Sequence, residues 1–504
     1  MTYDDDHTSL NASFSLSEDN EQFKTLFIAV VIASIASVCV GFSIGYTSPF
    51  NTEYTKFSNE TLFASLLGIG AVVGLILGGF CLEYFGRKKG IMISALFYTP
   101  GWILIGYFPN RTNLYIGRML TGVATGLCSL TVPIYIAEVS SFQYRGRLGV
   151  VNQIGITIGI FLAFLIGSYS NPKQSATAAF VIALLMEFLV LFIPESPRWL
   201  FAKKKRYEAC KTLKWLRGSS YNVEDECIEI EHNLACKLYT EAYETVLNAD
   251  LLNREQQPVA ALNDFRTPGL YRPLLYGSFL MVFQQMCGIN ATMFFGQKIF
   301  HLSGVSKMPL AVYLTQVLIT ITTYFIVDKY GRRKLLMVGA FGMFICNLLL
   351  GVYFQIFIMP ANNKTLESHF DNTEIKMLEI SNVMFHDSYS WLAFTCFVLF
   401  IISYSIGWGA LPLLLMSEIF PPRRRSFSCV IVLSVNWCFA FIVTYLFNNL
   451  VSFFQIQGAL WLFSTFCLIS IFFVCYFVPE TKGKTLEEIE HYYQIYYGFR
   501  NYLN

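Results

Sequence analysis

Long apolar stretches of this chain carry a small set of neutral polar and aromatic side chains: Gln153, Gln284, Gln285, Asn290, Gln316 and the pair Asn436-Trp437. An amide both donates and accepts hydrogen bonds, and an indole covers a weakly apolar ring face. Together they suit an uncharged, hydroxyl-bearing ligand, bound without the grip of an ion pair. Taken singly, each amide reads as well as a hydrogen bond between helices. A second set is charged and sits at the ends of the apolar stretches. It comprises Arg87, Glu138, Arg145 and Glu195 early in the chain, and Arg332, Arg333, Glu418, Arg425 and Glu480 late in it. Arginine engages carboxylates bidentately, so these groups can clamp helix ends, hold one face shut and break when it opens.

The elements that position them follow from composition. Of 504 residues, 54% are hydrophobic and only 14% charged, against about 25% charged in soluble domains. Soluble domains cannot bury so large an apolar share. A net charge of +2 gives no general attraction for nucleic acid. Runs long enough to cross a bilayer as helices fall at roughly 26–50, 62–82, 91–108, 114–137, 148–170, 176–194, 274–299, 309–328, 335–359, 391–416, 427–450 and 457–478. The N-terminus, with Asp4-Asp5-Asp6 and no basic region, does not read as a cleaved signal peptide.

An even number of spans puts both termini on one side. Lys and Arg crowd that side, at Arg87-Lys88-Lys89, through 198–272, and at Arg423-Arg424-Arg425, so both termini are expected to be cytoplasmic. Of the 13 Cys, Cys210, Cys227 and Cys236 lie in the central cytoplasmic stretch and the others in or at the edges of spans. No outer disulfide framework is expected. Sequons at Asn59, Asn110 and Asn363 fall on the outer side.

Three signatures occur twice. Gly86-Arg87-Lys88-Lys89 is matched by Gly331-Arg332-Arg333-Lys334, and Glu138 with Arg145 by Glu418 with Arg425. Pro194-Glu195-Ser196 is matched by Pro479-Glu480-Thr481. The chain thus reads as two six-span halves in parallel repeat. The expected divisions are a cytoplasmic tail (1–25), a six-helix bundle (26–197), a cytoplasmic linker (198–272), a second bundle (273–478, outer loop 361–390) and a second tail (479–504).

Read together, Pro133-Ile134-Tyr135-Ile136-Ala137-Glu138, Arg145-Gly146, Pro194-Glu195-Ser196-Pro197-Arg198-Trp199, Gln284-Gln285-Met286-Cys287-Gly288-Ile289-Asn290 and Pro479-Glu480-Thr481-Lys482-Gly483 resemble the sugar porter family of the major facilitator superfamily. Loop lengths and Gly407-Trp408-Gly409 are similar to class III animal glucose transporters and insect-type trehalose transporters. The resemblance implies an all-α membrane protein with twelve transmembrane helices in two bundles that rock around a central sugar site, and short cytoplasmic helices in the linker. It implies that Gln153, Gln284, Gln285, Asn290 and Asn436 are substrate amides, with Gln316 where many relatives have Asn. Phe294-Phe295 matches an aromatic pair capping the outer side, and Gly407, Gly409 and Pro412 suggest a flexible inner gate. Leu413 stands where glucose-transporting relatives have a Trp, and Ala410 replaces a Pro. These departures leave fructose, a polyol or a disaccharide such as trehalose open beside glucose.

One regular helix cannot aim both Gln285 and Asn290 at a ligand, because at about 100° per residue they diverge by about 140°. Gly288, between them, is the expected break. Proton coupling needs a titratable group in the pathway. Proton-coupled relatives carry an Asp after a Gly-aromatic pair in the first span, where this chain has Gly41-Phe42-Ser43 and no acid. Facilitated diffusion is therefore expected, with symport the alternative through Glu187. Arg118 and Glu187 are the two charges well inside spans, and both read as structural. A polytopic enzyme would need an intramembrane His, Asp or Cys constellation, and a sugar sensor a long signalling tail. Neither is seen, nor does any pattern call for a metal or cofactor. The expected protein works as a monomer. Without an acidic dileucine sorting signal, it is placed in the plasma membrane, with a vesicle membrane as the alternative.

Overall fold

A computed structural model describes residues 23–54, 59–141, 144–218, 221–232, 268–294, 309–358, 389–420 and 425–482. Most of the two tails, residues 233–267 of the linker and nearly all of the loop 361–390 lie outside the described residues.

The described chain is helical, and 10 of its helices are long and apolar enough to cross a membrane. In the first half the spans are Phe23–Gly45 continued by Thr47–Tyr54, then Glu60–Tyr84, Arg87–Tyr107, Arg111–Val139, Arg145–Tyr169 and Pro172–Val190. In the second half Pro309–Tyr330 is the eighth span, and Arg332–Tyr353 with the π-turn Phe354–Ile358 the ninth. The tenth runs from 389 through the π-turn Tyr404–Trp408 to Leu411–Ile419. Arg425–Phe477 holds the eleventh and twelfth, separated at Gln455, whose φ of 60° and ψ of 174° are not helical. The seventh, Pro268–Met286, stops short and resumes at 289–294. Twelve expected spans thus have twelve helical counterparts, with breaks in the first, seventh and tenth.

Local chemistry sets the helix starts. Asn59 Oδ1 accepts the amides of Thr61 at 3.1 Å and Leu62 at 3.3 Å, and Asn171 forms a capping box with Gln174 ahead of Pro172. Large apolar side chains such as Phe80, Phe192, Phe325 and Val338 are exposed around the outside, as helices facing hydrocarbon require. Glycines bring helices together elsewhere: a Cβ at Gly126 would overlap the Ala71 carbonyl, and one at Gly159 the Val38 carbonyl.

The halves meet through the fifth and eighth spans and through the second and eleventh. At the basic end, Arg147 Nε lies 3.2 Å from Asp328 Oδ2. At the opposite end Phe164 stacks on Tyr313 with ring centroids 3.8 Å apart. Under the first half, Pro197–Ala202, Arg206–Arg217 and residues 223–232 form short helices. They pack around Leu200, Phe201, Ala209, Leu213 and Cys227, and burial pushes the Cys227 thiol up. Arg217 docks this unit by pairing with Glu226 at 2.8 Å and donating to the Val139 carbonyl at 3.0 Å.

Candidate functional site

The amides converge where the seventh span breaks. Gly288 has φ +89°, a left-handed conformation that glycine adopts without strain. A Cβ there would lie 2.6 Å from the Phe463 ring. The break turns Asn290 back towards Gln285: Asn290 Nδ2 donates to Gln285 Oε1 at 2.5 Å, and Gln285 Nε2 donates to Asn436 Oδ1 at 2.5 Å. Three of the expected amides therefore form one chain of donors and acceptors across the seventh and eleventh spans. Gln284 points elsewhere, donating through Nε2 to the Trp408 carbonyl at 2.6 Å. That carbonyl belongs to the π-turn of the tenth span, where the altered helical register presents backbone oxygens to side chains.

Gln316 is buried, and its Oε1 has no hydrogen-bond partner among the described residues. A buried acceptor left open this way costs free energy unless a ligand or water donates to it. Gln153 is half-buried and lines a cleft between the halves with Asn152, Ala137, Gly149, Ala410 and Leu413. The cleft encloses about 430 Å³ of empty space including its mouth. The small side chains of Ala137, Gly149 and Ala410 keep it open. Asn152, absent from the sequence expectations, accepts from Ser37 Oγ at 2.6 Å; its only sequence signal is adjacency to Gln153. Trp437 is buried, with its carbonyl 3.1 Å from where a Cβ of Gly68 would lie.

Of the expected gating residues, Phe294 is buried within the second half rather than facing lipid, and Phe295 lies outside the described residues. Gly407 packs so closely that a Cβ would lie 2.6 Å from the Leu335 carbonyl oxygen. Gly409 follows the π-turn, and Pro412 opens the helix that restarts at Leu411. A link unforeseen in the sequence lies at the opposite end, where the Tyr313 hydroxyl donates to the Thr292 carbonyl at 3.3 Å.

The charged motifs build the same network twice. In the first half, Arg87 pairs with Glu138 at 2.7 Å, the Ser196 hydroxyl donates to the same carboxylate, and Glu195 accepts the backbone amides of Arg87 at 2.8 Å and Lys88 at 3.1 Å. In the second, Arg332 pairs with Glu418 at 3.0 Å and Thr481 Oγ1 donates to Glu418 at 2.6 Å. Glu480 accepts the amides of Arg332 at 2.9 Å and Arg333 at 3.2 Å. The glutamates thus satisfy free N–H groups at a helix start. Gly86 (φ +95°) and Gly331 (φ +83°) shape both turns, and a Cβ at either would press on the glutamate.

Each of these networks lies inside one half. A clamp expected to hold the face shut is, in these pairs, a brace within a bundle, because the helix ends that converge on each Arg belong to the same six spans. Among the described residues, the ion pair that crosses between halves is Arg147–Asp328, and Asp328 Oδ1 also lies 3.3 Å from Arg332. The side chains of Arg145 and Arg425 lie outside the described residues, although both residues begin helices.

Arg118 is fully buried. It donates to the Ser43 carbonyl at 2.8 Å and to Thr47 Oγ1 at 2.5 Å, and its guanidinium lies over the Phe63 ring. It thereby serves carbonyl and hydroxyl groups where the first span breaks after Gly45. Glu187 is half-buried in the sixth span.

Two bundles of six helices define a fold of the major facilitator type. The chain belongs to the sugar (and other) transporter family, whose pattern it matches over residues 29–493. It is 35% identical over 478 residues to the facilitated trehalose transporter Tret1 of Bombyx mori, covering 92% of this chain and 86% of that protein. It is 32% identical over 483 residues to the facilitated glucose transporter member 8 of solute carrier family 2 from Bos taurus, covering 94% and 95%. Among solved structures, the proton:xylose symporter XylE bound to 6-bromo-6-deoxy-D-glucose shares its fold with a TM-score of 0.73 at 23% identity, over 93% of this chain and 99% of that one. The protein is a multi-pass membrane sugar transporter and not an enzyme.

Proposed function

We propose that the protein is a uniporter moving a neutral hexose such as glucose by rocking its two halves around the amide cluster. Gln285, Asn290, Asn436, Gln316 and Gln153 offer the donors and acceptors that a sugar's hydroxyls need, while Gln284 ties the seventh span to the tenth. Phe294 and Phe295 close the outer side, and the segment around Gly407, Gly409 and Pro412 gates the inner side. The basic end is cytoplasmic with both termini. The protein acts as a monomer in the plasma membrane, its sequons at Asn59, Asn110 and Asn363 outside.

The observation that carries passive transport is the make-up of the first part of the first span: Phe23–Gly45 holds Ser43 after Gly41-Phe42 and no acid. Proton coupling needs a titratable group that the sugar path can load and unload, and Ser43 is neutral at that position. Uptake into proteoliposomes tests it: sugar should equilibrate, with no accumulation when a pH gradient is imposed. Accumulation above equilibrium would establish symport and direct attention to Glu187.

A second reading is a larger or differently shaped neutral sugar, such as trehalose, fructose or a polyol. It is favoured by the cleft beside Gln153, where Ala410 and Leu413 leave space. Competition among glucose, fructose, trehalose and inositol in a transport-deficient host separates the two.

A further inference from the structure

The break in the seventh span is wired by side chains. Around Gly288 the backbone ladder changes step: Cys287 N bonds to Phe283 O at 3.1 Å, Gly288 N falls back to Gln285 O at 3.3 Å, and Thr292 N resumes on Gly288 O at 3.1 Å. In a regular helix the Gln284 and Cys287 carbonyls would accept from residues 288 and 291. Here the Cys287 thiol donates to the Gln284 carbonyl at 3.0 Å, and Asn347 Nδ2 of the ninth span donates to the Cys287 carbonyl at 3.1 Å. Asn347 is buried, with the same nitrogen 3.9 Å from Cys467 Sγ on the twelfth span.

Beside this joint, Gly288, Ala291, Thr292 and Asn347 line a small apolar cavity together with Phe397 and Phe463. The joint itself is tied to the ninth span through Asn347.

We propose that Asn347 is a positioning residue for sugar binding: its amide holds the seventh span broken at Gly288, so that Gln285 and Asn290 face one point. Without that donor, the buried Cys287 carbonyl regains a partner most cheaply by healing the helix, which turns Asn290 away from Gln285. This assignment rests on the reading of the amide cluster as the sugar site.

The test uses the full-length protein in proteoliposomes and Asn347→Leu, which keeps bulk and removes the donor. We expect KM for the sugar carried by the wild type to rise about tenfold, with maximal rate per molecule within about twofold. A KM within twofold of wild type overturns the proposal, and so does a loss confined to maximal rate, which a merely structural role would give. Should Asn347→Leu not fold, Asn347→Ala removes the donor without adding bulk, and the same criterion applies: a KM within twofold of wild type overturns the assignment. Hydrogen exchange over 284–294 needs no sugar and separates this inference from the transport reading. Slower exchange in Asn347→Leu supports the hinge even if the wild type carries none of the sugars tried, an outcome that would sink only the transport reading. Unchanged exchange overturns the hinge.

Discussion

Arg147 Nε reaches Asp328 Oδ2 across 3.2 Å, joining the start of the fifth span to the end of the eighth. The two halves of the transporter are thus ion-paired at the basic end. Asp328 lies beside Arg332 as well, so opening between the halves would be felt by the brace of the second half through Arg332 and Glu418.

Asp328→Asn should shift the balance towards the state open on the basic side. Arg147 is 46% exposed, so the pair contributes only about 0.2–1 kcal/mol, at most about a fivefold change in the ratio of states. Labelling by a thiol reagent of a cysteine introduced at Gly149, in the cleft, reads that ratio. An unchanged labelling rate would remove Asp328 from the gate.

The paired braces should matter more to stability than to affinity. Glu138 and Glu418 are 15% and 16% exposed, between the surface and buried regimes. Glu138→Gln and Glu418→Gln should each lose on the order of 2 kcal/mol. Thermal unfolding of the purified protein should show similar falls for both. A drop in only one would mean that the duplication is not an energetic symmetry.

Gln285→Ala removes the centre of the Asn290–Gln285–Asn436 chain. Two hydrogen bonds at about 0.5–1.5 kcal/mol each predict a fall in kcat/KM of about 5- to 160-fold, with normal amounts of folded protein. Initial uptake rates against sugar concentration check it. Full activity would show that the sugar binds elsewhere.

Arg118→Leu should be more damaging than its distance from the amides suggests. It strips the donor from the Ser43 carbonyl in a fully buried setting, an expected cost of about 1–3 kcal/mol. Reduced folded yield in membranes, with KM unchanged in the surviving fraction, is the expected result. A changed KM instead would tie Arg118 to the substrate path.

Much of this architecture is legible in the chain. Runs of apolar residues must cross the bilayer as helices, since no other open segment satisfies its backbone there. The repeated Gly-Arg and Pro-Glu motifs mark the residues of the two braces, while the pairings Arg87–Glu138 and Arg332–Glu418 come from the structure. The clash between helical period and the spacing of Gln285 and Asn290 locates the break at Gly288. Less legible are single residues whose meaning depends on a distant partner. Arg147 looks like one more positive charge at a span end, Asp328 like a helix-end acid, and Asn347 like any amide in a membrane helix.

The sequence by itself thus determined the spans, the duplication and the family, because these depend on hydropathy, spacing and local backbone preference. Only the tertiary structure decided that the repeated ion pairs brace each half from within while Arg147–Asp328 links the halves. It also showed that Gln284 spends its amide on the Trp408 carbonyl and that Asn347 caps the broken seventh span. Those outcomes depend on which helices pack side by side, and hydrogen bonds only a few ångströms long carry no signature in residues tens or hundreds of positions apart.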